Sequence, residues 1–470
     1  MTAAMRPVMA LLLGGLAACA DAPPVRTPDP PVELPTAWTS AETGSEGSSP
    51  GWWRSFQDER LNAFIEEAAL RSFDLRAAAA RVEQAVAQAR IAGADLSPQL
   101  AGRAEAVRQK QIFVGLEIPG FDEVLTSETT AYTLSLDLSW EIDLWGRIRS
   151  GQSAALADVQ AMRAELAGAQ LSLAGQTSKA YFGAVEALRQ RELARRTLES
   201  FRATTERIQD RFQRGLRPAL DVAFARTAEA SAEAALRLRE EEVAAALRTL
   251  EAVVGRYPKG GAAVAETLPA VPGPVPGGLP SELLVRRPDL AAAERRLAAA
   301  GRRVDEARAA LYPRLAVTGS VGQTSNELKD LLDGDFSLWR IGGNLLQPIF
   351  QGGRLRAAVV AAGAREEEAL ALYAARVLRA LSEVETALAV DRALAAREKA
   401  LERAVAEARS ALDQAERRYG AGLSDILTLQ ESQRRVFELE SQGLSTTRRR
   451  LDTRVNLHLA LGGGFAWPRD

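Results

Sequence analysis

The sequence predicts a mainly α-helical protein made of two internal repeats, each with two β-strands and one long coiled-coil helical hairpin. Three observations carry that prediction. The chain is written twice: Asp74-Leu75 returns as Asp289-Leu290, Pro98 as Pro313 and Leu100 as Leu315, each 215 residues later (289 − 74). Gly146-Arg147 returns as Gly353-Arg354, and Arg211-Phe212-x-x-Gly215-Leu216 as Arg418-Tyr419-x-x-Gly422-Leu423, now 207 residues later (353 − 146). Matched Pro and Gly positions are not a by-product of helix composition, so the repeat sets the structural unit. The change of offset places a longer loop between Pro98 and Arg147 than in the twin segment. Second, Val159, Leu166, Leu173, Ala180, Ala187, Ala194, Phe201 and Ile208 recur every seven residues, and Tyr373, Ala380, Ala387, Leu394, Leu401, Ala408 and Ala415 repeat the row. Such rows are coiled-coil seams. Third, Tyr132, Leu134, Leu136, Leu138 and Trp140 alternate with Thr133, Ser135, Asp137 and Ser139, the period of a strand with one apolar face.

The N-terminus reads as a secretory signal over residues 1–18: Arg6, an apolar run from Val8 to Leu13, then Leu16-Ala17-Ala18-Cys19. The run is too short to span a membrane. Cys19 is the one cysteine, so no intrachain disulfide can form. Its place after Leu-Ala-Ala resembles the bacterial lipobox, which implies lipidation of its sulfur; Ala20 follows. Residues 19–55, rich in Pro, Ser, Gly and Thr up to about residue 50, are expected to form a tether.

Repeat 1 is placed at 56–256. A helix over 56–95 carries Leu61, Phe64, Ile65, Ala68 and Leu75 on one face, and Pro98 stops it. Strands are expected at about 98–110 and 131–142. A helical hairpin at 147–255 follows, with Gly215 ending its first helix where a left-handed residue is needed. Between Arg147 and Gly215 there is no proline, and a helix of that length spans about 100 Å, more than a globule contains. Residues 257–288 hold seven prolines and read as an inter-repeat linker. Repeat 2, at 289–462, repeats the plan with strands at about 313–324 and 336–350, the latter expected to be bulged, and a hairpin at 353–461. Residues 463–470 form the tail.

Composition narrows the function classes. Hydrophobic residues make up 47% and charged residues 26%, with a net charge of −2, which gives no footprint for nucleic acid. The single histidine, His458, sits on a helical stretch, and no Cys/His cluster exists to hold a metal. Gly462-Gly463-Gly464 follows a helix and reads as a terminator, not a phosphate cradle. Glu240-Glu241-Glu242 and Glu366-Glu367-Glu368 read as solvated faces. No enzyme and no cofactor are expected. After the signal no stretch reaches ~20 apolar residues, so a membrane crossing would require a closed β-barrel. Four strands cannot close around an aqueous pore, so a barrel would need several copies.

Leu279-Pro280-Ser281-Glu282-Leu283-Leu284-Val285-Arg286-Arg287-Pro288-Asp289-Leu290, continuing through Ala293-Glu294 to Tyr312-Pro313, resembles the outer membrane factor family of TolC-like ducts, in its lipoprotein branch. Trp140-Glu141-Ile142-Asp143-Leu144-Trp145-Gly146-Arg147 and Arg418-Tyr419-x-x-Gly422 are further matches. The resemblance implies a homotrimer with a shared twelve-stranded outer-membrane barrel and a periplasmic α-helical tunnel. It implies a passive exit duct for small molecules, such as drugs or other toxic compounds, working with a periplasmic adaptor and an inner-membrane RND-type pump. Thr133, Ser135, Asp137 and Ser139 would line the barrel. The periplasmic tip would lie at 210–224 and 417–431. There Asp425 and Glu431 are the acidic gate candidates, Arg211 and Arg418 their candidate partners, and Gly215-Leu216 and Gly422-Leu423 the candidate adaptor-docking corners. Gly420 departs from the family's pattern, where many relatives carry a basic residue. The competing expectations are a poreless periplasmic coiled-coil adaptor or structural lipoprotein, and a type I protein-secretion duct.

Overall fold

A computed structural model of the protein describes residues 32, 34–39, 50–114, 126–273, 275 and 278–464. The signal peptide, Cys19, most of the expected tether, the loop at 115–125 and residues 465–470 lie outside the described residues.

Two helices, α1 (Glu59–Arg71) and α2 (Phe73–Ala94), occupy the stretch expected as one. Ser72 breaks it: its backbone is extended, and its hydroxyl accepts from Leu75 N at 3.2 Å, which starts the second helix. Strands β1 (Gln99–Ile112) and β2 (Thr126–Ile142) follow, then α3 (Arg147–Gln213) and α4 (Ala219–Val254). The second half supplies a one-turn helix α5 (Leu283–Arg286), α6 (Pro288–Ala309), β3 (Arg314–Ser325), β4 (Ser337–Leu346), α7 (Arg354–Gly420) and α8 (Ile426–Ala460). The two long helices have 67 residues each, about 100 Å at ~1.5 Å per residue. Every residue of both seven-residue rows is buried or half-buried.

The four strands form one antiparallel sheet in the order β1-β2-β3-β4. Register is regular throughout, from Gln99↔Ser139 to Ile112↔Thr126, Tyr132↔Ser325 to Ile142↔Leu315, and Arg314↔Leu346 to Gln323↔Ser337. The bulge expected in the fourth strand is therefore absent. That strand also stops at Leu346, short of the expected 350; Pro348, which has no N–H to give a ladder, follows closely. At Gly322 the β2 and β3 backbones come so close that a Cβ would sit 2.2 Å from the Leu134 carbonyl oxygen, so only glycine fits. The long hairpin β1–β2 outreaches β3–β4, which is where the change of repeat offset falls.

The hydrophobic core lies part-way along the helices. Tyr181 and Phe182 of α3 are fully buried against Trp52, Phe56, Phe64 and Ile65 on one side and Leu250 and Val254 of α4 on the other. Each such side chain contributes roughly 1.5–3 kcal/mol. The proline-rich segment is part of this core rather than a loose connection. Ala262 and Val264 pack into it, and Val275 and Leu283 join a second cluster with Leu290, Tyr373, Val377 and Leu457. Buried Glu251 pins the segment's start by accepting from the amides of Gly260 at 2.6 Å and Gly261 at 2.8 Å. Burial pushes its carboxyl up, but those amides win and hold it below the usual range. The expected tether is also partly fixed: Trp38 is buried in the second cluster, and its indole N–H donates to Gly278 O at 3.0 Å.

Candidate functional site

The sheet presents two unlike faces. On one, Leu100, Leu134, Leu136, Val321, Trp339, Ile341 and Leu345 are exposed, and the register places them side by side. Leu136 is 49% exposed, Trp339 78% and Ile341 73%, values that water does not tolerate over a continuous face. Thr133, Ser135, Asp137 and Ser139 share the opposite, polar face. Thr133 and Thr324 hydroxyls lie 3.1 Å apart across β2 and β3. Ser135 is covered where Gly322 closes on it, and Ser139 is open. Asp137 pairs with Arg103 of β1 at 3.3 Å. Arg103, Glu105 and Arg340 complete this face by register. Sequence reading missed them because β1 has almost no apolar alternation to mark its sides.

Both outer edges of the sheet, on β1 and β4, are unpaired among the described residues. Among the described residues, no helix is long and apolar enough to cross a membrane.

The strand-to-helix turn explains the Trp140–Arg147 stretch. Arg147 grips Glu141 through both carboxylate oxygens, at 3.0 and 3.1 Å. Gly146 adopts φ +74°, and the Asp143 carboxylate turns back to accept from Ile148 N at 3.1 Å and Arg149 N at 2.9 Å, neutralising the start of α3. The Trp145 indole donates to Pro313 O at 2.8 Å and stacks on Tyr312 at 5.0 Å, tying the two repeats together at the sheet's end.

Residues 64–256 and 279–463 match the family described as outer membrane efflux protein. The chain belongs to that family. It is 34% identical over 458 residues to the pyoverdine export outer membrane protein OpmQ of Pseudomonas putida, covering 94% of this chain and 95% of that one. It is 34% identical to the outer membrane protein OprJ of Pseudomonas aeruginosa, covering 97% and 96%. Among solved structures, the outer-membrane channel OprN superposes with a TM-score of 0.86 at 30% identity, covering 95% of this chain and 99% of that one. The VceC outer membrane protein of Vibrio cholerae superposes at 0.82 and 30%, covering 89% and 100%. The exposed apolar face of the sheet is therefore a lipid face in the outer membrane of a Gram-negative bacterium, and the long helices extend into the periplasm. The family is one of channels, not of enzymes. The poreless-adaptor expectation is set aside by family membership and by a sheet that carries its own lipid face.

At the far end of the helices the two repeats build the same corner. Gly215 (φ +74°) and Gly422 (φ +75°) take the left-handed conformation, and the amides of Leu216 and Leu423 return to the carbonyls of Arg211 and Arg418, each at 2.9 Å. Leu216 is 67% exposed and Leu423 69%, so both corners present a leucine outward.

The gate candidates are not brought together inside one chain. Asp425 caps α8, its carboxylate accepting from Thr428 N at 2.7 Å, and hydrogen bonds from the Thr428 side chain and then its amide hold its carboxyl below the usual range. Glu431 pairs with Arg434 one turn on. Arg211 donates to the carbonyls of Tyr419 at 3.3 Å and Gly420 at 3.2 Å. Arg418 is exposed and makes no ion pair within the chain among the described residues.

The sequence pointed past the centre of the tip. Tyr419 is buried, with the guanidinium carbons of Arg217 at 4.6 Å and Arg211 at 5.7 Å from its ring centre. Burial pushes its phenol up, against the pull of Arg217 and Arg211. Its repeat twin Phe212 is 43% exposed, so equal spacing did not mean equal surroundings. Arg217 has Ser424 as its twin, which is why the cluster forms on one side only.

Proposed function

We propose that three copies of this chain close one twelve-stranded barrel, whose helices continue as a single tunnel. The tunnel passively conducts small organic molecules delivered by an RND-type inner-membrane pump through a periplasmic adaptor. The observation that carries this reading is the four-stranded sheet with one exposed apolar face and two unpaired edges, joined to helices about 100 Å long. Four strands must borrow neighbours to close, and closure removes every edge. Relatives are named for pyoverdine export and for solvent and toluene efflux, against one named for cation efflux, a balance that supports an organic cargo. Beyond the leader the chain holds one methionine, Met162, and one histidine, a poor supply of ligands for soft metal cations. Cys19, at the end of the leader, is assigned as the lipidated anchor. The exposed corners at Gly215-Leu216 and Gly422-Leu423 are assigned as adaptor-docking points, with Leu220 and Leu427 extending each apolar edge.

The gate assignment places Asp425 and Glu431 against Arg211 and Arg418 of neighbouring copies around the closed tip. A clean test removes charge and keeps shape. Asparagine caps a helix as well as aspartate does, whereas alanine at a cap costs ~1 kcal/mol. Asp425→Asn with Glu431→Gln therefore leaves α8 intact, and single-channel conductance in a planar bilayer is expected to rise several-fold. Conductance equal to that of the parent protein removes both residues from the gate.

A further inference from the structure

The lipid face ends abruptly at one pair of cations. From Ile142 to Tyr132 the outward positions of β2 are all apolar or aromatic, and the outward positions beside them on β1, β3 and β4 carry no charge. Those residues of β2 span about 33 Å along the strand, or about 25 Å in height at the tilt of a membrane barrel, the thickness of an apolar band. Beyond Tyr132, β3 has ended, but β1 and β2 stay paired in unbroken register to Ile112↔Thr126. Even-numbered residues of β1 therefore keep facing outward. After Leu100, Gly102, Ala104 and Ala106 they are Arg108 and Lys110, with exposed Ile112 ending the strand beyond them.

Arg108 lies opposite Thr130 and Lys110 opposite Glu128, about 5 and 10 Å above the band's edge. That is the height of lipid headgroups on the side away from the helices. Glu128 stands between the two cations, 3.2 Å from Arg108 and 3.9 Å from Lys110. Side-chain exposures of 76, 55 and 53% leave all three open on the outer side of the hairpin. Two cations against one carboxylate leave a positive excess, and a guanidinium beside an ammonium suits a phosphate better than a second carboxylate would.

We propose that Arg108 and Lys110, bridged by Glu128, bind the phosphate groups of lipid headgroups in the outer leaflet, one site on each copy. The inference rests on the lipid-facing reading of this sheet. Continuity with the apolar band selects a lipid as the occupant, since a phosphate reaching this height is attached to the surrounding leaflet.

The test measures lipid retention by native mass spectrometry on the full-length protein in detergent. The probes are a diphosphorylated acyl-disaccharide lipid, the same lipid after dephosphorylation, and inorganic phosphate as competitor. The parent protein is expected to retain the phosphorylated lipid in preference to the dephosphorylated one, with retention falling as salt rises. Arg108→Gln with Lys110→Gln is expected to weaken retention roughly tenfold or more, while Arg108→Lys with Lys110→Arg keeps most of it. Inorganic phosphate in millimolar excess should compete poorly. Full competition by inorganic phosphate would overturn the lipid assignment, and equal retention by parent and double glutamine variant would overturn the site. If the glutamine variant fails to assemble, Lys110→Gln alone gives the same reading, with a smaller expected loss. Assembly of the parent protein is read in the same spectrum, so a missing trimer counts against the duct, and an intact trimer with unchanged retention counts against this site alone.

Discussion

Leu136→Arg is expected to abolish the stable trimer. Leu136 sits midway along the outward row of β2, opposite Gly102 of β1 and Val321 of β3, and is half exposed in the isolated chain. In a barrel that position faces the centre of the bilayer. An arginine there costs ~2–4 kcal/mol per chain, or about 6–12 kcal/mol over three copies. On gels run without boiling, the parent protein should migrate as a heat-labile trimer, and the variant as a monomer depleted from the outer-membrane fraction. Ser139→Arg, on the opposite face, is the control. It should assemble normally and alter conductance, because its side chain enters water. A Leu136→Arg protein that assembles at parental yield would show that this face does not meet lipid.

Arg287→Met is expected to destabilise the helical body. The Arg287 guanidinium is buried where the linker enters α6. It bonds Asp289 at 3.0 and 2.9 Å, Glu383 of α7 at 2.7 Å and the Ala460 carbonyl of α8 at 3.1 Å. One side chain therefore fastens three helices. Burial works against the charge of Asp289, and the guanidinium overcomes it, holding the carboxyl below its usual range. Breaking a buried pair costs 3–5 kcal/mol, but both acids are nearly half exposed, so about 2 kcal/mol is expected here. Since the folded Asp289 carboxyl lies lower than in the unfolded chain, its contribution is present above ~pH 4 and fades as pH falls through the folded value. The variant's apparent melting temperature, read by helical circular dichroism in detergent, should fall clearly at pH 7 and converge on the parent's below pH 4. Arg287→Lys should lie between them, keeping charge without the two-pronged grip. Equal melting of all three proteins would mean that the ion pair fastens nothing.

What the residues revealed depended on whether chemistry and geometry spoke together. In β2 they did: leucine and serine alternate, so the strand, its two faces and Thr133, Ser135, Asp137 and Ser139 could be read directly. In β4 they did not, because Gly342-Gly343 interrupts the apolar alternation and imitates a bulge in a strand whose register is regular. The break at Ser72 carried a local sign, a serine ahead of a helical turn, but the surrounding helical pattern masked it. Prolines correctly marked 257–288 as irregular backbone, yet composition said nothing about Val264 and Val275 entering the core. Trp38 was hidden in the same way, since a polar tether can still carry one anchoring aromatic. At the tip, spacing found both glycine corners. It did not find the Tyr419 cluster, because burial of that ring depends on Arg211 and Arg217 meeting it from the other repeat. Asp425 shows the converse limit: an acid at a helix start is a cap in one chain, and whether it also faces a neighbour is a property of the assembly.

The most direct measurement of the central claim is the mass of the intact protein–detergent complex by native mass spectrometry. One barrel shared among three chains predicts a single species of three copies, stable until heated. A species of one or two chains under the same mild conditions would contradict it, because the two unpaired strand edges would then have no third partner to close the ring.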